Sequence, residues 1–196
     1  MEAAQLLKQT RRVTNCFILI AAFLVSTGCV NYVRIDGPYE GKVIDAKTGQ
    51  PIEGAVVFGE WSKAHPGAGG ASHTYYDSRE VLTDGNGEFS IPGLGLLVLT
   101  MIEEMDVIIF KAGYEQITPN PWSGLKNVWP KDKVIWQGDK ATFRLKRLSM
   151  KERRKRHVSF PSCAVEHRGK MRNLIRESNI EMREMGMPAN MLLPEE

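Results

Sequence analysis

Cysteine is scarce. The chain holds Cys16, Cys29 and Cys163, too few and too unevenly placed for a disulfide framework, which needs an even set in the mature chain. No apolar run reaches the ~20 residues that a membrane-spanning helix requires; residues 17–25 (FILIAAFLV) fall well short. Neither sign of charge dominates: 26 Lys and Arg face 23 Asp and Glu, for a net charge of +3. That balance does not call for a nucleic-acid partner, and none is assigned. The motifs of common catalytic machinery are also missing. There is no G-x-S-x-G, no H-E-x-x-H and no P-loop, so the sequence gives no support to a nucleophilic, metallopeptidase or nucleotide-hydrolysing site. Neither a catalytic residue nor a cofactor is assigned.

What is present is an ordinary globular composition, 42% hydrophobic and 25% charged over 196 residues, which suits one domain with appendages. Residues 1–12 are polar and end in Arg11 and Arg12; the apolar run follows, then Ser26, Thr27, Gly28 and Cys29. A positive start, a short apolar core and small residues before a boundary describe a secretory leader. The Ser-Thr-Gly-Cys end resembles a bacterial lipoprotein signal. That resemblance implies removal of residues 1–28 and lipidation of Cys29. It also implies attachment in the cell envelope, with Val30 after the cysteine favouring the outer membrane, facing the periplasm or the cell surface. The alternative is an uncleaved anchor with an incidental Cys29. Residues 29–38 are expected to be a lipidated cysteine and a short tether. Eight extended residues reach at most about 26–29 Å.

The body of the chain reads as strands and turns. Residues 41–44 and 55–61 are rich in β-branched and aromatic residues, which suit a half-buried pleated surface. Between them, Asp45, Thr48, Gly49 and Pro51 form a turn. Asp84-Gly85-Asn86-Gly87 predicts a hairpin, and this turn also accounts for the carboxylates that superficially resemble a calcium loop, whose full ligand series is missing. Residues 107–114 (VIIFKAGY) form another strand ending at a Gly-aromatic turn. In order, GKVIDAKTGQPIEGAVV, TDGNGEF and VIIFKAGYE resemble the carboxypeptidase regulatory-like domain over residues 39–148. The resemblance implies a mainly β, transthyretin-like or immunoglobulin-like sandwich with a carbohydrate-binding-like fold and no catalytic residues of its own. The chain departs from the family pattern at residues 94–105 and in an insertion around residues 65–76.

Residues 64–72 (AHPGAGGAS) read as a flexible loop and residues 73–83 as a strand. Residues 94–105 fit either a buried strand or a short helix. Val134, Ile135 and Trp136 suggest a short strand. Residues 141–148 alternate, with Ala141, Phe143 and Leu145 on one side, and are expected to be the last strand of the sandwich. Residues 149–196 form a basic helical extension. Ser149 and Glu152 make a capping box. A second helix is expected over residues 162–177, with Met171, Leu174 and Ile175 on one face; residues 179–185 either continue it or form a separate turn ending at Gly186. Because the family pattern stops near Leu148, the sandwich is expected to fold without this extension.

Three surfaces are candidates for binding. Trp122, Trp129 and Trp136, in and beside the loop 119–136, offer aromatic faces for a glycan or a partner protein; the competing reading is that they cap the open end of the sandwich. Lys151, Arg153, Arg154, Lys155 and Arg156 are candidates for contact with an anionic surface, or for pairing with the domain's own carboxylates. His65, His73 and Asp77, and separately His157, Cys163 and His167, are metal-ligand types without the paired spacing of zinc sites, and no metal is assigned. The sequence therefore favours a lipid-anchored envelope protein presenting a non-catalytic interaction or structural module. Its partners would be the membrane through Cys29 and an envelope protein or glycan. Carbohydrate or cell-wall binding through residues 119–136 is the alternative, and a metal-dependent enzyme the third.

Overall fold

The computed structural model describes residues 31–67, 69–118, 133–156 and 167–188. Nine strands follow in order: β1 (Asn31–Asp36), β2 (Tyr39–Asp45), β3 (Val56–Gly67), β4 (Gly70–Leu82), β5 (Glu88–Ile91), β6 (Gly95–Thr100), β7 (Asp106–Phe110), β8 (Val134–Gln137) and β9 (Lys140–Leu145). Helix α1 (Met150–Lys155), a short 3-10 turn (Arg168–Lys170) and helix α2 (Arg172–Glu184) complete the described elements. The fold is mainly β, a sandwich with a helical extension.

Alternation builds the first layer. In β2, Tyr39, Gly41, Val43 and Asp45 turn inward, and in β9 so do Ala141, Phe143 and Leu145, as their spacing predicts. The two strands run parallel, Val43 opposite Phe143, within a sheet ordered β5-β2-β9-β8. The second layer, β4-β3-β7, behaves differently. Val56, Val57, Phe58 and Gly59 of β3 are all buried, because both faces of this sheet are covered. Val57 and Trp61 face the first sheet, with Val107, Ile109 and Phe143 in the same core. Val56, Phe58 and Phe110 face the other way and are covered by Met171, Leu174 and Ile175 of the C-terminal segment.

That second core draws the segment beyond Leu148 into the packing of the sandwich. α2 closes one face of a sheet that would otherwise expose three fully buried apolar side chains. The helix also begins and ends later than predicted: residues 179–184 continue it, and Gly186 terminates it in the left-handed region, φ 72°. Residues 157–166 lie outside the described residues.

Three further expectations change. Residues 31–36 are not a tether but β1, paired antiparallel with β6; of the two forms expected for residues 94–105, a strand is found, though it is mostly exposed. Residues 64–67 and 70–72 are not a loop. They form the distal part of a long β3–β4 hairpin, which outruns the core beyond a register shift after Trp61. The extra residue of such a bulge bends the ribbon and re-aims its side chains. Asp84-Gly85-Asn86-Gly87 makes a turn but not a hairpin: β4 pairs with β3, whereas β5 pairs with β2 in the other sheet. Asp84 Oδ1 accepts the Asn86 and Glu88 N–H groups at 2.9 and 2.8 Å, which holds the turn while the chain crosses between layers. Gly87, at φ 75°, accepts the Val43 N–H on its carbonyl at 2.8 Å; a Cβ there would overlap the Val43 carbonyl oxygen.

Candidate functional site

The end of the sandwich where the described chain begins is built around one buried carboxylate. Asp36, 2% exposed, closes β1. Its Oδ1 accepts the Tyr39 hydroxyl at 2.7 Å. Its Oδ2 accepts the Trp61 Nε1–H and the Leu94 N–H, both at 2.9 Å. Arg34 lies 3.4 Å from the same carboxylate and donates to the carbonyls of Ile102 and Glu103. Three donors and a guanidinium satisfy the charge, as burial demands. Burial, then the hydrogen bond and charge of Asp36, push the Tyr39 phenol far above its ordinary range. Arg79 lies over the Trp61 ring, 5.6 Å from its centroid, and donates to the carbonyls of Pro92 and Gly93. This cluster ties β1, β2, β3 and the start of β6 into one rigid corner.

From that corner β1 and β6 extend as a two-stranded ribbon. Its inward face carries Arg34 and, opposite it, Leu97, which packs against the main core. Its outward face carries Val33 opposite Val98 and Ile35 opposite Leu96. These four are 66%, 54%, 78% and 66% exposed, so nothing among the described residues covers them. Leu99, 68% exposed, adds to the same end of the ribbon at a φ of 50°. A solvated antiparallel sheet face should be polar, whereas these four positions are all aliphatic. Beside it opens a cleft of ≈ 710 Å³ lined by Arg34, Ile35, Tyr39, Glu40, Glu104 and Lys140, among others.

The sequence-predicted sites fare unequally. Cys29, Trp122 and Trp129 lie outside the described residues. Trp136 lies on β8, opposite Ala141, and its half-buried ring packs against the main core, which fits the capping reading for that residue. His65 shares a hydrogen bond with Thr74 at 2.9 Å, and His73 with Glu103 at 2.9 Å. Asp77 pairs with Lys170, and the hydrogen bond from Lys170 together with the Ser78 N–H pulls its carboxyl below the usual range against the opposing effect of burial. The three do not converge: among the described residues no group of three or more metal-ligand side chains forms. His157 and Cys163 are outside the described residues, while His167 stacks on Tyr75 with ring centroids 4.2 Å apart.

The basic run is divided. Arg153 and Arg156 do not face outward but pair with the protein's own carboxylates, the second of the two readings of this run. Arg153 Nε donates to Glu181 Oε1 at 2.9 Å, and its Nη2 reaches Glu181 and Glu184. Arg156 donates to Glu181 and to the Tyr114 carbonyl. Glu181, 1% exposed, also accepts the Gly113 N–H at 2.7 Å. Only Lys151, Arg154 and Lys155 of the run stay exposed. The capping box forms as expected, with Glu152 Oε2 accepting the Ser149 N–H at 2.8 Å and Ser149 Oγ accepting from Glu152. Lys146 and Ser149 hold the Glu152 carboxyl down at about 2.

Sequence reading missed the aliphatic ribbon, although its signal was there. Val33 and Ile35 alternate with Arg34 and Asp36, and Leu96 and Val98 alternate with Leu97. What the pattern did not carry was the pairing of these two segments with each other. No family model, curated protein or solved structure matches this chain.

Proposed function

We propose that the protein is a lipid-anchored component of a bacterial cell envelope that holds a non-catalytic β-sandwich at the membrane as an interaction or structural module, with the sandwich related to the carboxypeptidase regulatory-like domain. The observation that carries this reading is the order of residues 11–29: paired arginines, an apolar run too short to span, and Ser-Thr-Gly-Cys. The described charges are consistent with a module rather than an enzyme. Asp36, Glu181 and Arg153 are buried in bonds that fasten strands and helices to each other. Two acyl chains on Cys29 would hold the protein stably, at ~0.8 kcal/mol for each buried CH₂.

Intact-mass measurement on the membrane-bound protein and on Cys29→Ser tests it. The wild type should begin at residue 29, carry acyl mass and sediment with membranes. Cys29→Ser should lack that mass and keep its leader. A mature, membrane-bound wild type that still begins at Met1 refutes the processing.

A further inference from the structure

We infer that the aliphatic outer face of the β1–β6 ribbon, Val33, Ile35, Leu96 and Val98, beds into the lipid bilayer that holds the N-terminal anchor, fixing the sandwich in one orientation. The inference rests on the lipid-anchored reading above.

Position is the first argument. β1 begins at Asn31, two residues after Cys29. Four residue steps separate Cys29 from Val33, a reach of at most ~14 Å. If the leader is removed at Cys29, the chain leaves the lipid within that distance of the ribbon; if it is retained, the apolar run ends at Val25, within about 26–29 Å. The second argument is chemistry. Paired cross-strand neighbours, Val33 with Val98 and Ile35 with Leu96, make a continuous aliphatic surface that is more than half exposed at every one of the four positions. A face of this kind marks an interaction site rather than ordinary surface. Rigidity is the third. Asp36 and Arg34 fix the ribbon to Tyr39, Trp61, Leu94, Ile102 and Glu103, so docking the ribbon orients the whole sandwich.

The ribbon lies along the surface and does not cross it. Among the described residues each strand pairs only with the other member of the ribbon, and outer backbone groups in hydrocarbon would go unsatisfied. Interfacial depth, ~5–10 Å into the headgroup and acyl boundary, buries the side chains and leaves those groups in reach of water. The four side chains sit two residue steps apart on each strand, about 7 Å at about 3.3 Å per step, so the contact is a compact patch.

The test uses the full chain, produced with its own leader, in a Cys163→Ser background. An environment-sensitive dye is attached at Val98→Cys, at Leu96→Cys as a second ribbon position, or at Lys47→Cys as a distant exposed control. The proteins are reconstituted into vesicles, and each sample is checked for acyl mass and sedimentation. Nitroxide-bearing lipid should quench the dye at both ribbon positions and leave position 47 unaffected. Iodide in the water should do the reverse. Both results should persist as protein is diluted into excess lipid. A sedimenting, acylated protein whose ribbon dyes meet iodide and escape the nitroxide overturns the inference while the anchor stands. Ribbon dyes shielded from iodide but untouched by lipid nitroxide mean that a second copy or a retained leader covers the face, which also overturns it. Absence of both acyl mass and sedimentation removes the anchored reading, and this inference with it.

Discussion

Two carboxylates at strand ends show how the same side chain is used in opposite surroundings. Glu80 of β4 accepts the N–H groups of Asn173 and Leu174 at 2.9 and 2.7 Å. It caps α2 from another element, since Met171 at the N-cap offers no side-chain bond. Burial pushes its carboxyl up, and the two N–H bonds offset this only in part. Asp45, at the end of β2, accepts the Lys47 and Thr48 N–H groups at 2.8 and 2.9 Å. The Thr48 bond is the main reason its carboxyl is held below the ordinary 3.8. A depressed folded value means stability that is complete above the unfolded value and lost as pH falls through the folded one. Asp45→Asn keeps an acceptor but loses the charge. It should lower stability by about 1 kcal/mol near neutral pH, and the gap to wild type should shrink as pH drops below 3.8. Urea midpoints of both proteins across the acid range measure this. A gap that stays constant down to about pH 2 would show that the charge of Asp45 contributes nothing.

At the scale of elements, α2 shows what a sequence carries and what it omits. The apolar face of Met171, Leu174 and Ile175 was legible from helical spacing. Its destination was not, because periodicity describes an element and not its neighbour. The destination had a trace all the same: Val56-Val57-Phe58 and Val107-Ile108-Ile109-Phe110 are unbroken apolar runs, the mark of strands covered on both faces. The turn at residues 84–87 was readable for the same local reasons, but whether it joins strands within one sheet or across two depends on distant pairing. For Arg153 and Arg156 the sequence left surface contact and internal pairing both open, because their partner, Glu181, lies on another element. Leu174, fully buried between α2 and the sheet, makes the coupling measurable. Leu174→Ala should destabilise the protein by about 2–5 kcal/mol, seen as a lower urea midpoint. Removing residues 149–196 should give a product that binds hydrophobic dye and melts without cooperativity, since Val56, Phe58 and Phe110 lose their cover. A cooperative, dye-silent truncated protein would return the helix to the status of an appendage.

At the scale of the whole molecule, the two notable surfaces lie at opposite poles. The ribbon and its Asp36 corner adjoin the start of β2 at Tyr39. α1 follows the far end of the same sheet, where Asp45 pairs with Leu145 and Arg156 reaches the Tyr114 carbonyl. Six residue steps along β2 separate the poles by about 20 Å, well beyond the ~8 Å over which charges act in physiological salt. With the ribbon bedded in lipid and β2 standing away from the surface, Lys151, Arg154 and Lys155 are held about 20 Å off, too far for the basic run to orient the protein on its own membrane. Its exposed cations are then left for an acidic partner that approaches from the other side. Reversing all three, with Lys151→Glu, Arg154→Glu and Lys155→Glu, should leave the membrane-bound fraction and its resistance to salt washing unchanged. The buried pairs of Arg153 and Arg156 with Glu181 are untouched by these changes, so the fold should survive. The cost is limited to the loss of two favourable cations, Arg154 and Lys155, in the last turn of a short helix, up to about 1 kcal/mol each, while Lys151 lies in the first turn, where glutamate is favoured. Sedimentation of membranes washed at low and high salt, wild type beside the triple variant, gives the answer. Release of the variant under conditions that retain the wild type would place α1 against lipid and reverse the polarity assigned to the molecule.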